Sequence, residues 1–266
     1  MKTAIVTLAI GDTYLERWRR LCEPGWRAYA EKCGYNLLVI DQPLDVTARA
    51  AARSPSWQKC LVLQSSITGR YGRVVWIDAD ILINAAAPPI TEGVPIEAIG
   101  ITDEHTYPTP ELRLRIINHL THAWMKVDPK VGRNWETFLD PAAWHALAGL
   151  PRRGRYMIQP GVMVLSPRHH HDLLEYIYYH HEDQGGDQMN YEMRPFSFEV
   201  QERNLQHWID ARFNALVSML IWKRQIELNR AITAEECSSL LAWEYRQNYF
   251  LHFAGRHDLM TAARPS

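Results

Sequence analysis

The chain has 266 residues, enough for one large or two small domains with a sizeable core. An apolar share of 47% and a charged share of 22% exclude a disordered, collagen-like or low-complexity chain. Twenty-nine basic residues against thirty acidic ones, without a basic run, take nucleic acid and membrane surfaces out of the expected partners.

Four scattered cysteines, Cys22, Cys33, Cys60 and Cys237, contain no C-x-x-C pair and read as small buried hydrophobes in a reducing compartment. The short apolar run after Lys2 ends at Asp12 rather than at a small-residue cleavage site, and no apolar stretch reaches bilayer length. The expectation is a cytoplasmic protein with neither leader nor transmembrane anchor.

Thr3 to Ile10 is apolar and rich in β-branched residues, which predicts a strand buried on both faces and broken at Gly11-Asp12-Thr13. Leu15, Trp18 and Cys22, then Trp26, Tyr29, Ala30 and Cys33, keep helical spacing on either side of Pro24-Gly25. Two helical pieces therefore precede a second strand at Leu37 to Ile40, and the β-α-β unit predicts a parallel pair. Ser54-Pro55 is an N-cap with proline at the first helical position, opening a helix that carries Trp57, Lys59, Leu61 and Val62. Val74 to Ile77 is a third buried strand and Ile96 to Ile101 a fourth. Residues 102 to 158 lose the alternation and collect Trp124, Trp135, Trp144, Arg152, Arg153 and Arg155, which predicts an insertion or recognition region. Gly161 to Leu165 reads as a strand, Leu173 to Tyr179 as helix, and Phe250 to Phe253 as a late strand.

Chemistry concentrates at three places. Asp78 and Asp80 follow a buried strand, and alternate residues of extended chain share a side, so both carboxylates can meet one hard cation. Gly185-Gly186-Asp187-Gln188 brings backbone close to a ligand just ahead of a carboxylate and an amide; the competing reading is a solvated turn with Asp187 as a helix cap. His252-Phe253-Ala254-Gly255-Arg256 joins an imidazole to a glycine and a guanidinium suited to phosphate oxygens. The histidines at 169 to 171, 180 and 181 point in different directions around a helix and are expected on a solvated face. Trp18, Trp26 and Trp76 are expected in the core. Packing is also the favoured role of the three tryptophans in 102 to 158, ahead of an acceptor platform.

Together these segments resemble the retaining glycosyltransferases of the GT-A fold, the type that includes glycogenin and bacterial lipopolysaccharide α-galactosyltransferases. The resemblance runs from Val6 to Arg256 and implies an α/β fold, a single GT-A, Rossmann-like domain over 1 to 266 with a mostly parallel sheet flanked by helices. Residues 1 to 101 would form the nucleotide-binding half, 102 to 158 the acceptor insertion, and 159 to 266 the donor-sugar and acceptor half. Thr7, Leu8, Gly11 and Tyr14 resemble the first strand and nucleotide loop, and Lys59 the lysine that reaches the donor. The VVWIDADILI run places Asp78, Ala79 and Asp80 on the metal strand. Gln159 and Gly161 are similar to the strand touching the donor sugar. The resemblance makes Asp78, Asp80 and His252 ligands of Mn2+, with Mg2+ as the other choice, and Asp187 and Gln188 the catalytic pair. Gly255 and Arg256 would face the diphosphate; Asp258 stands where the family has lysine, so the cation would be Arg256, His257 or absent. The partners implied are a UDP-linked nucleotide sugar and a carbohydrate or other hydroxyl acceptor. Two other readings compete: a phosphohydrolase using Asp78 and Asp80, against which Leu82 stands where that class expects threonine or valine, and a non-catalytic nucleotide-sugar binder.

Overall fold

The computed structural model describes residues 1–64, 68–184 and 191–263. Its strands are β1 (Thr3–Leu8), β2 (Asn36–Ile40), β3 (Arg73–Ile77), β4 (Ile81–Ile83), β5 (Ile99–Asp103), β6 (Ile158–Leu165), β7 (Gln206–Trp208), β8 (Ala215–Leu216) and β9 (Phe250–His252). Six form one sheet in the order β2-β1-β3-β6-β5-β7, and β4-β9-β8 form a second, smaller sheet. The β2/β1, β1/β3 and β5/β7 pairs are parallel, while β6 runs antiparallel to both β3 and β5. Proline at 160 fits inside β6 because the β5 ladder shifts register between Gly100 and Thr102, where a missing N–H costs least.

Alternation along the central strands divides the core. Ile5, Val75, Ile77, Val162 and Val164 face one cluster with Trp18, Trp26 and Tyr29 of the helices Asp12–Leu21 and Glu23–Cys33. Ala4, Val6, Val74, Trp76 and Met163 face the other, with Trp57 and the helix Pro167–His180. Both faces are covered, which is why these strands read as continuous apolar runs. Gly34 closes the second helix at φ 67°, a left-handed position that suits glycine.

Several sequence expectations change here. Pro55–Leu61 is a 3-10 helix, capped by Ser54, whose hydroxyl accepts from the Ser56 N–H. The fourth strand lies at Ile99–Asp103 rather than 96 to 101. Residues 102 to 158 are largely helical, with helices at Pro110–Val127, Pro129–Thr137 and Pro141–Ala146. Trp144 is fully buried, Trp135 stacks 5.1 Å from Phe138, and Trp124 stays 38% exposed. His170 leaves the expected solvated face: it is buried, its Nδ1 accepts from the Ser166 N–H and its Nε2 lies 3.0 Å from the Glu97 carbonyl. All four cysteines are thiols outside any disulfide; Cys22 and Cys60 are buried, while Cys33 and Cys237 are only half-buried. Among the described residues no helix is long and apolar enough to cross a membrane.

His145 is another buried imidazole, lying edge-on to Trp144, with Nδ1 2.6 Å from the Pro141 carbonyl and Nε2 3.1 Å from the Ser197 hydroxyl. Burial pushes its pKa down to about 4, against the upward pull of the Pro141 carbonyl. The folded state thus keeps it neutral while the unfolded chain protonates below about pH 6.5. Its contribution is complete above that pH and is lost as pH falls toward 4, by up to about 3 kcal/mol. Urea unfolding of His145→Gln at pH 7 and pH 4.5 should show a flatter pH dependence than the wild type; an unchanged slope contradicts the assignment.

Candidate functional site

Asp78 and Asp80 lie where the chain leaves one sheet for the other. The Asp78 N–H donates to the Gly161 carbonyl at 2.8 Å, extending the β3/β6 ladder, and the Asp80 carbonyl accepts from the Phe253 N–H at 3.0 Å beside β9. In the β4/β9 register Ile81 opposes His252, so the residue before Ile81 stands next to that imidazole. The expected meeting of the two carboxylates is present, but a turn between sheets produces it, not one extended strand.

His252 Nε2 lies 3.4 Å from Asp80 Oδ1 and 3.9 Å from Asp78 Oδ2, and ligand atoms of all three residues fall within 4.8 Å of one another. Ligands about 2 Å from one ion sit roughly 3 to 4 Å apart, so the spacing fits a shared divalent cation. Asp80 Oδ1 is also buried without a hydrogen-bond partner, an arrangement that costs stability unless something else binds it. Burial pushes the Asp80 carboxyl upward, but His252 and His257 outweigh it and hold the group well below the usual carboxylate range. Burial likewise depresses His252, and the two aspartates more than reverse this.

Asp78 is tethered from the other side. Its Oδ1 accepts from the Trp76 indole N–H at 2.8 Å and lies 2.9 Å from Lys59 Nζ, which is also 2.9 Å from Glu192 Oε1. Burial raises the Asp78 carboxyl and Lys59 opposes the rise. Burial would also lower the Lys59 ammonium, but Asp78 and Glu192 together hold it above its ordinary value. Lys59→Met would leave the buried Glu192 and the half-buried Asp78 without the cation they share, and should cost about 3 to 5 kcal/mol in denaturant unfolding without metal. A loss below about 1 kcal/mol would contradict the bridging role.

These groups stand where two chambers meet. The larger, about 490 Å³, has walls of Leu8, Ile10, Tyr14, Trp76 and Tyr191. The smaller, about 190 Å³, is lined by Gln159, Gly161, Glu192, His252, Ala254 and Gly255. Lys59, Asp78, Asp80, Ser56 and Tyr191 belong to both. A groove of about 540 Å³ between the helices Val217–Leu228 and Ala234–Gln247 is larger, but among the described residues it gathers no such cluster of metal-type ligands.

The structure thus brings Leu8, Tyr14, Lys59, Asp78, Ala79, Asp80, Gln159, Gly161, His252 and Gly255 to one cleft. Others fall elsewhere. Thr7 is fully buried with its hydroxyl unpartnered, and Gly11, at φ 90°, caps the helix Asp12–Leu21 outside the chamber walls. Arg256 is exposed and paired with Asp258 at 3.0 and 3.1 Å, away from both chambers. His257 instead reaches the site, with Nε2 3.3 Å from Asp80 Oδ2 and its ring edge-on to Tyr14 at 5.6 Å. Trp76, expected only in the core, lends its N–H to Asp78. Asp187 and Gln188, with Gly185 and Gly186, lie outside the described residues. Reading the residues missed Tyr191, Glu192 and Asn214, single side chains without a motif around them.

No protein-family model matches the chain, and no curated protein does. Solved structures do. The chain is similar to a glycosyltransferase involved in glycosylation of the major capsid of PBCV-1, with TM-score 0.54 and 12% identity over 97% of this chain and 99% of that one. It is also similar to the bifunctional glycosyltransferase WbbM in its apo form, with TM-score 0.53 and 9% identity over 98% of this chain and 49% of that one. At these identities the likeness is one of fold: the chain has the mixed α/β architecture of GT-A glycosyltransferases.

Proposed function

We infer that the chain is a metal-dependent glycosyltransferase that moves a sugar from a UDP-linked donor to an acceptor hydroxyl with retention of configuration. The observation that carries this reading is the convergence of Asp78, Asp80 and His252 at the junction of two chambers, in a fold shared with glycosyltransferases. These three residues would hold a divalent cation, Mn2+ ahead of Mg2+ because an imidazole joins the two carboxylates. A cation bound there would neutralise the charge that grows on a departing diphosphate.

The chain's own groups divide the remaining work. Tyr14, Trp76 and the apolar side chains of Leu8 and Ile10 offer flat surface for a pyrimidine and its ribose. The smaller chamber, with Glu192 and the backbone at Gly161 and Gly255, offers acceptors and close approach for sugar hydroxyls. Lys59 holds Asp78 in place and favours its charged form against burial. Because Arg256 is committed to Asp258, His257 is the better candidate for the cationic group near the diphosphate. Asp187 and Gln188 remain the proposed catalytic pair; Tyr191 and Glu192, just beyond them in sequence, line the cleft. The acceptor would be a carbohydrate or another hydroxyl compound.

Nucleotide release from a panel of UDP-, GDP- and ADP-sugars, with Mn2+, Mg2+ or chelator, tests the reading. Metal-dependent UDP release that increases with an acceptor supports it. Inorganic phosphate release from phosphomonoesters with no nucleotide release would transfer the site to a phosphohydrolase, and binding without any turnover to a non-catalytic binder.

A further inference from the structure

His252 is locked through a chain of polar groups that begins at an atom of unambiguous character. The Gly161 backbone N–H can only donate, and it donates to the side-chain oxygen of Gln159. The same Gln159 Oε1 lies 3.1 Å from the Asn214 amide, so the Asn214 atom facing it must be the donor, Nδ2, which also reaches Thr102 Oγ1 at 3.2 Å. Asn214 therefore turns its oxygen the other way, onto His252 Nδ1 at 2.8 Å. A carbonyl oxygen can only accept, so Nδ1 carries the proton and Nε2, the atom between Asp78 and Asp80, is the one available for a metal.

Every member of this chain is buried: Thr102 is 5% exposed, Gln159 8%, Asn214 3% and His252 2%. The members come from four places in the fold, β5, β6, the end of the 3-10 helix Ala211–Asn214, and β9. Solvent does not compete for the bonds, so the orientation imposed by Gly161 is transmitted intact to the imidazole.

We propose that Asn214 is a positioning residue for the metal ligand His252, and that Gln159 acts chiefly as the anchor of Asn214 rather than as a contact to the donor sugar. The proposal rests on the metal-dependent reading above. It states that Asn214 holds the proton on Nδ1 and the ring orientation of His252 before any cation arrives, a role outer-shell partners of histidine ligands commonly fill.

The test has a metal-free and a metal-bound arm. In chelated, 15N-histidine-labelled protein the Nδ1–H of His252 should give a slowly exchanging signal that disappears in Asn214→Leu. Mn2+ titration by electron paramagnetic resonance, without donor, should show affinity about 10- to 100-fold weaker in Asn214→Leu. Gln159→Leu, measured alongside, should weaken Mn2+ in the same direction and serves if Asn214→Leu does not fold. Wild-type Mn2+ affinity in both leucine variants, or an Nδ1–H signal of His252 that persists in Asn214→Leu, overturns the proposal. Absence of Mn2+ binding by the wild type overturns the functional reading itself, while the Nδ1–H signal still reports whether Asn214 holds the ring.

Discussion

Asp80→Asn is expected to lower donor turnover by about two to three orders of magnitude while leaving the fold intact, the range seen when a group stabilising developing charge is lost. The substitution keeps the size of the side chain and removes the charge that holds His252 and His257 to one point. Among the described residues its Oδ1 has no hydrogen-bond partner, so little native bonding is given up at that atom. The variant should therefore unfold within a few degrees of the wild type when both are metal-free, and it should lose the stabilisation that Mn2+ confers. Turnover assays and metal titrations of the same preparation check both halves. Activity within tenfold of the wild type would mean that Asp80 does not hold the metal.

Gly161→Ala should produce the second largest effect, by steric means. A Cβ at this position would stand 2.4 Å from His252 Cε1, 2.9 Å from His252 Nδ1 and 2.8 Å from Gln159 Oε1. No real Cβ sits so close, and Gly161 cannot withdraw readily because its carbonyl accepts from the Asp78 N–H. The imidazole must move, and with it the metal geometry. Mn2+ affinity should fall by about 10- to 100-fold, and stability by about 1 to 3 kcal/mol, the cost of overpacking a tight interior. Titration calorimetry and urea unfolding measure the two separately. Unchanged metal affinity would place His252 outside the metal shell. The glycine is thus required for the space it leaves to a histidine 91 positions away in sequence, not for an unusual backbone angle.

What the sequence disclosed and what it hid follow from the range of the physics. Strands β1 and β3 were legible because a strand buried on both faces must be apolar throughout. Asp78, Asp80 and His252 were legible because each closes a short apolar run. The three helices between 110 and 146 were misread, although each carries a start signal: Thr109-Pro110, Asp128-Pro129 and Asp140-Pro141 pair a capping side chain with proline. The stretch loses the strand-helix alternation of the first hundred residues because successive helices fill it. The capping box at Thr233 and Glu236 was present in the same way and opens the helix Ala234–Gln247.

Other features had no local trace. The reversed direction of β6 depends on partners far apart in the chain. Asn214 and Glu192 join the site through register and packing, and nothing adjacent to Asn214 distinguishes it from any other asparagine. Gln159 shows the same limit from the other side: its place in the motif resemblance suggested a sugar contact, while its hydrogen bonds turn inward to Gly161 and Asn214. Arg256 was chosen for its charge, and its neighbour two positions on, Asp258, already satisfies it.

Thermal unfolding with UDP, in the presence and absence of Mn2+, tests the central claim most directly, because a ligand that binds only the folded state stabilises it by mass action. The account predicts a rise in the unfolding temperature with UDP that requires Mn2+ and disappears in Asp78→Asn. A UDP shift that is the same with chelator, or no shift with any nucleotide and metal together, would contradict it.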